Sequence, residues 1–157
     1  MNLSAPLFGV IAAKSSHSEA IQELIKIVDS VPQLDIPVTH HFLPGIYARE
    51  ITMPAGMTGV GHKHKTQHLN VVLTGHAIVT WDGHTEEIRA PHVFESMPGA
   101  QKAFQVVEDF RLMTVHPNPK NLTDVVEIER EIFDLPEEIR DAAIPLDDYR
   151  MQKNQLK

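Results

Sequence analysis

The stretch Gly56–Gly75 reads GMTGVGHKHKTQHLNVVLTG and sets three histidines, His62, His64 and His68, within seven residues. His62 and His64 stand two apart, and in an extended strand that spacing puts both imidazoles on one face. The polar Lys65-Thr66-Gln67 segment that follows suits a tight turn or bulge. A chain that reverses there brings His68 back on the neighbouring strand, facing the same interior. Three neutral imidazoles on one side of an ion leave other positions open for water or substrate, as catalytic metal sites require. A solvated, histidine-rich turn has the same spacing, so the surrounding residues must decide between the two.

Downstream of Ile46 the sequence breaks into short apolar runs separated by turn residues. IYAREITM, LNVVLTG, HAIVTW, TEEIRA, HVFESM, AFQVVE and RLMTVH read as strands. Asp82-Gly83, between AIVTW and HTEEI, is a strong hairpin signal because both residues tolerate positive φ. Strands at this spacing predict an antiparallel sandwich or small barrel, not βαβ units. Upstream, SEAIQELIKIVDSV (18–31) repeats Ile21, Leu24, Ile25 and Val28 at helical spacing, with Ser18 as N-cap and Glu19 in the first turn. VPQLDIPVTHHFLPG, with three prolines, reads as an irregular connector whose length makes the helix a peripheral appendage. After Pro119, LTDVVEIEREIF and PEEIRDAA predict one or two acidic helices packed outside the barrel or against another subunit. The expected division is residues 1–45 (helix and connector), 46–118 (barrel) and 119–157 (helical extension), together one domain.

The bulk composition narrows the class. A chain of 157 residues with 42% hydrophobic and 22% charged residues is ordinary for a globular domain. No run approaches the ~20 apolar residues needed to span a bilayer, so no membrane partner is expected. PLFGVIAA (6–13) lacks a basic flank and is too short for a targeting segment. A formal charge of −7 without a basic stripe argues against a nucleic-acid partner. With no cysteine there is no disulfide framework, Cys-based zinc site or thiol nucleophile, which agrees with a cytoplasmic location. Metal chemistry must rest on the ten histidines and on carboxylates.

The frame from Gly56 to Gly75 resembles the first motif of the cupin superfamily, G-x5-H-x-H-x3-E-x6-G, with His68 where the glutamate usually stands. PHVFESMPGAQKAF (91–104) resembles the second motif, G-x5-P-x-G-x2-H. Gly99 matches, Pro91 replaces the first glycine, Met97 takes the proline's place and Lys102 that of the final histidine. More loosely, REITMPAGM, EEIRAP, SMPGAQK and TVHPNP are similar to small single-domain cupin-like proteins of tailed phages and bacteria. The resemblance covers residues 46–116. It implies a mainly β fold, the double-stranded β-helix or jelly-roll barrel, with flanking N- and C-terminal helices. It also implies a divalent transition metal (Fe, Zn, Ni or Mn) near the barrel mouth, here on His62, His64 and His68. Replacing Glu by His makes the site more cationic, and a protonated lysine beside a divalent ion is repulsive. Lys102 either turns to solvent as an ordinary rim lysine or anchors an anionic small-molecule ligand.

Other side chains are secondary. Asn70 shares the inward face of His68 if the strand is regular, and so becomes a ligand-binding or supporting group. His116 reads as a strand-end surface residue rather than a fourth imidazole, and His76 as exposed. His40 and His41, in the connector, cover the barrel mouth or nothing. The orientation of Tyr47 and Glu50 is open. The function expected is metal binding with an unassigned activity. An Fe(II)-type dioxygenase or isomerase is one alternative, and a non-catalytic binding cupin without metal the other. A sugar site has little to stack on, with only Trp81 and two tyrosines. Strand edges and terminal helices make a homodimer the expected assembly.

Overall fold

A computed structural model describes residues 16–156; PLFGVIAA lies outside the described residues. The elements run α1 (His17–Asp29), β1 (Thr39–Leu43), β2 (Gly45–Met53), β3 (Thr58–Val60), β4 (His68–Trp81), β5 (His84–Arg89), β6 (His92–Ser96), β7 (Ala103–Asn118), α2 (Val125–Ile132), α3 (Glu137–Ala142) and α4 (Leu146–Asn154).

All named strand pairs are antiparallel, and two long strands organise them. The first part of β4, His68–Val72, lies between β6 and the Leu112–Val115 part of β7. The second part, His76–Trp81, lies between β5 and the Ala103–Glu108 part of β7. β7 in turn pairs with β3 through Ala103–Gln105 and with β2 through Phe110–Asn118. One face of the fold therefore holds β1, β2, β7, β4 and β6, and the other β3, β7, β4 and β5. The two long strands pass from one face to the other, which is the double-stranded β-helix the sequence predicts.

LNVVLTG and HAIVTW are one strand, not two, and so are AFQVVE and RLMTVH. The apparent breaks are bends within the strands. The β4–β7 register shifts between Val72 and Ala77, around Gly75. Gly75 has φ +91°, and a Cβ there would lie 2.0 Å from the Asp109 carbonyl oxygen. Only a residue without a side chain lets the two strands cross this closely. Asp82 (φ 48°) and Gly83 (φ 81°) form the expected hairpin turn between Trp81 and His84.

Between the two faces lies the core. Val72, Trp81, Phe94, Phe104, Phe110 and Leu112 pack together there. Burying each such side chain contributes about 1.5–3 kcal/mol.

The flanking segments depart from expectation in three places. Thr39–Leu43 is not irregular; it pairs along its length with β2 as an edge strand between Pro37 and Pro44. Proline density hid a five-residue strand that fits between two of the prolines. The α1 N-cap is Ser16, not Ser18: its Oγ accepts the Glu19 N–H at 3.2 Å. α1 is also more than an appendage, since Ile21 and Leu24 are buried against Ala103 and pack on Val60. Third, α4 follows the two acidic helices without a sequence signal.

The C-terminal helices pack on this chain's own barrel. Asp124 caps α2 by accepting the Glu127 N–H, and Ile128, Ile132, Phe133 and Leu146 gather around Tyr47. Glu129, 2% exposed, accepts the Leu146 N–H at 3.0 Å and so ties α4 to α2. Burial raises its carboxyl to about 6, against the pull of that N–H and of Arg49.

Two outcomes follow. Gly75→Ala should destabilise the fold by at least about 3 kcal/mol in a denaturant melt, because positive φ and a backbone clash act together; a loss below about 1 kcal/mol would contradict the crossing. A raised folded-state pKa at Glu129 gives stability that is complete below its unfolded value of 4.5 and is lost as pH rises through about 6. Glu129→Gln should therefore match the parent below about pH 4.5 and exceed it by about 2 kcal/mol near neutral pH. Equal stability at neutral pH would contradict the assignment.

Candidate metal centre

Three imidazoles converge at one end of the barrel: His64, His68 and His116. His68 opens β4 opposite Ser96 of β6, and alternation along the strand buries His68 and Asn70 while Leu69 faces out. His116 lies on β7, where Leu112, Thr114 and His116 are buried at every second position. The register that sets Leu69 against Val115 makes His68 and His116 cross-strand neighbours. His64 comes from the loop between β3 and β4. Its N–H donates to Ala100 O at 2.9 Å and its carbonyl accepts the Gly99 N–H at 2.7 Å. On either side, Lys63 O accepts the Asp134 N–H and the Lys65 N–H donates to Ile132 O, both at 2.8 Å. The loop is thus clamped between the Met97–Ala100 turn and the end of α2.

Ring centroids are 4.0 Å apart for His64 and His68, 4.7 Å for His68 and His116, and 5.5 Å for His64 and His116. One nitrogen from each ring lies within 4.8 Å of the others. Bonds of ~2.1 Å place adjacent ligand nitrogens roughly 3 Å apart, so small side-chain rotations would close the trio on an ion. Burial is the largest cause holding all three neutral. It lowers His68 to about 4 and His116 to about 2, and pushes His64 well below its usual range; Lys102 and neighbouring imidazoles add to the effect. The Nδ1 atoms of His64 and His116 are buried with no hydrogen-bond partner. A divalent transition ion satisfies neutral, orphaned imidazole nitrogens directly, so the donor set fits.

One cation already competes for it. Lys102 is 3% exposed, so it is not a rim lysine turned to solvent. Its Nζ donates to His68 Nε2 at 2.8 Å and to Ser96 Oγ at 3.2 Å. His68 Nδ1 lies 3.1 Å from Thr66 O, an acceptor only, so Nδ1 carries the proton and Nε2 presents its lone pair to the lysine. Burial lowers Lys102 to about 7. Asn70, fully buried, donates through Nδ2 to Ser96 Oγ (2.9 Å) and Phe94 O (3.2 Å). It therefore fixes the serine that holds Lys102.

The sequence placed His62 with His64 and His68. His62 lies outside the trio: beyond the end of β3 at Val60 it borders the same cavity as His64, with its ring 5.5 Å from that of Phe133. His116 is not a surface residue. β7 continues through Pro117 to Asn118, and His116 is 1% exposed, with Nε2 2.9 Å from Thr114 Oγ1. The alternation of Leu112, Thr114 and His116 is the signal that marks it. His76 is likewise buried, its Nε2 2.8 Å from a Glu87 carboxylate oxygen. Tyr47 faces inward, stacked on His116 at 5.9 Å with its hydroxyl 2.8 Å from His40 Nδ1. Glu50 faces away and pairs with Arg111 and His41.

A cavity of about 120 Å³ opens beside the trio, with His64 and Lys102 in its wall. Arg49, His62, Phe133 and Arg150 border it as well.

No family model matches the sequence, and no curated protein does. Solved structures do match. The cupin domain of Schizosaccharomyces pombe Cnp3 is 24% identical, with a TM-score of 0.47 over 62% of this chain and 72% of that one. An RmlC-like cupin with a double-stranded β-helix fold from Methanocaldococcus jannaschii is 14% identical, with a TM-score of 0.47 over 60% and 89%. Salicylate 1,2-dioxygenase from Pseudoaminobacter salicylatoxidans is 13% identical, with a TM-score of 0.52 over 73% of this chain and 33% of that one. Two long strands shared between antiparallel faces give the chain a double-stranded β-helix fold, and its likeness to the dioxygenase is one of fold alone.

Proposed function

We propose that this protein binds a divalent transition metal through His64, His68 and His116 and admits a small molecule to the adjoining cavity. The observation that carries this reading is the trio itself: three buried, neutral imidazoles with one nitrogen of each within 4.8 Å of the others. In such a site an ion supplies Lewis acidity and open coordination positions. The protein's share is to hold the imidazoles neutral and oriented, and to keep the site inside an apolar barrel. Thr114 fixes the His116 ring and Thr66 the His68 ring. Asn70 and Ser96 position Lys102, whose amine would have to give up His68 Nε2 for that imidazole to hold an ion. Open positions beside a cavity suit an oxygenase or an isomerase equally, and no separate acid–base pair among the described residues selects between them.

A second reading rests on the Lys102–His68 contact. The ammonium is itself a cation at the imidazole cluster, and a binding protein in which lysine permanently replaces the ion would show the same geometry.

Titration of tag-free, chelator-treated protein with Co(II), followed by absorbance and calorimetry, separates the two. On the metal reading one ion binds per chain, and His64→Ala or His116→Ala weakens binding by about 100-fold or more, while His62→Ala leaves it nearly unchanged. Lys102→Met should tighten binding by about tenfold, since a buried competing charge is removed. A parent that binds no Co(II) while Lys102→Met does would establish the lysine-for-metal reading. Loss of binding in His62→Ala but not in His116→Ala would overturn the ligand set.

A further inference from the structure

The cavity beside the trio is apolar along much of its wall, with Ile51, Met53, Met57, Phe104 and Leu112. At about 120 Å³ it far exceeds the ~15 Å³ a single water needs. Two guanidinium groups border it from separate elements, Arg49 on β2 and Arg150 on α4. Arg49 alternates with Tyr47, Ile51 and Met53 on the strand and is partly buried. Among the described residues it has no hydrogen-bond or ion-pair partner; its contact is the Phe133 ring, 5.2 Å from the guanidinium carbon. Arginine carries five donors in a planar fork, and leaving them unmatched at a half-buried site is costly. Both side chains border the same mouth, beside His62.

Neither nearby acidic group forms an ion pair with Arg49 among the described residues. Asp147, also in the wall, pairs loosely with Arg150 at 3.7 Å. Glu129, ionised near neutral pH, attracts Arg49 through space but spends one oxygen on the Leu146 N–H. Arg49 keeps its fork free, above an apolar chamber.

We infer that this cavity binds a small organic carboxylate, its anionic end on Arg49 with Arg150 assisting and its apolar body against Met53, Met57, Phe104 and Leu112. The planar fork matches a carboxylate in bidentate fashion, where an amide or alcohol offers no charge. This assigns the anion clamp to Arg49 rather than to Lys102, whose amine is spent on His68 and Ser96. The site depends on the metal reading only in that His64 borders the same chamber, so the two are tested apart.

The probe pair is hexanoate and hexanamide, of equal length and different charge, titrated calorimetrically into the chelator-treated full chain. Hexanoate should bind at least about tenfold more tightly than hexanamide, a gap of about 1.4 kcal/mol. Arg49→Gln should abolish that preference, Arg150→Gln should reduce it severalfold, and Arg49→Lys should keep part of it. Thermal melts confirm that each variant folds, and Arg150→Gln, on a half-exposed helix position, keeps the test decisive if Arg49→Gln does not. Equal binding of the two probes, no binding of hexanoate at millimolar concentration, or a carboxylate preference that survives in folded Arg49→Gln would each overturn the inference. Because no metal is present, a failure of the three-imidazole site leaves this result unaffected, and the reverse also holds.

Discussion

β4 and β7 pair with each other from Leu69–Val115 at one end to Thr80–Ala103 at the other, bending where Gly75 lies against Asp109. Every other strand attaches to one side of this pair or to a strand that does. Pleat alternation on a ladder of this length leaves little freedom. Once Val72 and Leu112 face the core, Asn70 and His68 on one strand and Thr114 and His116 on the other must also face inward. A slip of one residue would turn the whole set to solvent. The imidazole cluster is thus a consequence of core register, and only His64 needs a separate device, the loop pinned between Gly99–Ala100 and the end of α2.

Electrostatics at that end of the barrel is governed by burial more than by pairing. Three imidazoles, a lysine and an arginine share this region, and among the described residues no carboxylate joins the trio's cluster. Neutral imidazoles avoid mutual repulsion and leave His68 able to accept from the Lys102 ammonium; burial lowers all three histidines far below neutral pH and Lys102 only to about 7. An all-imidazole donor set keeps a divalent ion's full positive charge. An anion in the neighbouring chamber would complement both such an ion and Arg49, which has no ion-pair partner among the described residues.

Much of the fold was legible because its signals are local. The Gly56–Gly75 frame, the Asp82-Gly83 turn and the alternating runs after Ile46 each need only a few residues to act. What escaped is set at long range. Thr39–Leu43 becomes a strand only because β2 offers an edge. Gly75 looked like a strand terminus, whereas it is a bend that Asp109 makes necessary from 34 positions away. The site was half legible for the same reason. His64 and His68 lie in the motif frame, but choosing His116 over His62 required the pairing of β4 with β7 and the end of regular strand at Val60. Lys102 was recognised as the position where a ligand is lost. Its burial against His68 follows from Ser96 and Asn70 across the barrel, which no local pattern reveals.

The coordination site proposed is His64, His68 and His116, with His116 in place of His62. A crystal structure of the Co(II)-soaked protein, with anomalous data at the cobalt edge, tests it most directly. A single strong peak bonded to those three imidazoles is expected, with the Lys102 amine displaced from His68. A peak on His62, or no peak in the barrel with Lys102 still hydrogen-bonded to His68, would contradict it.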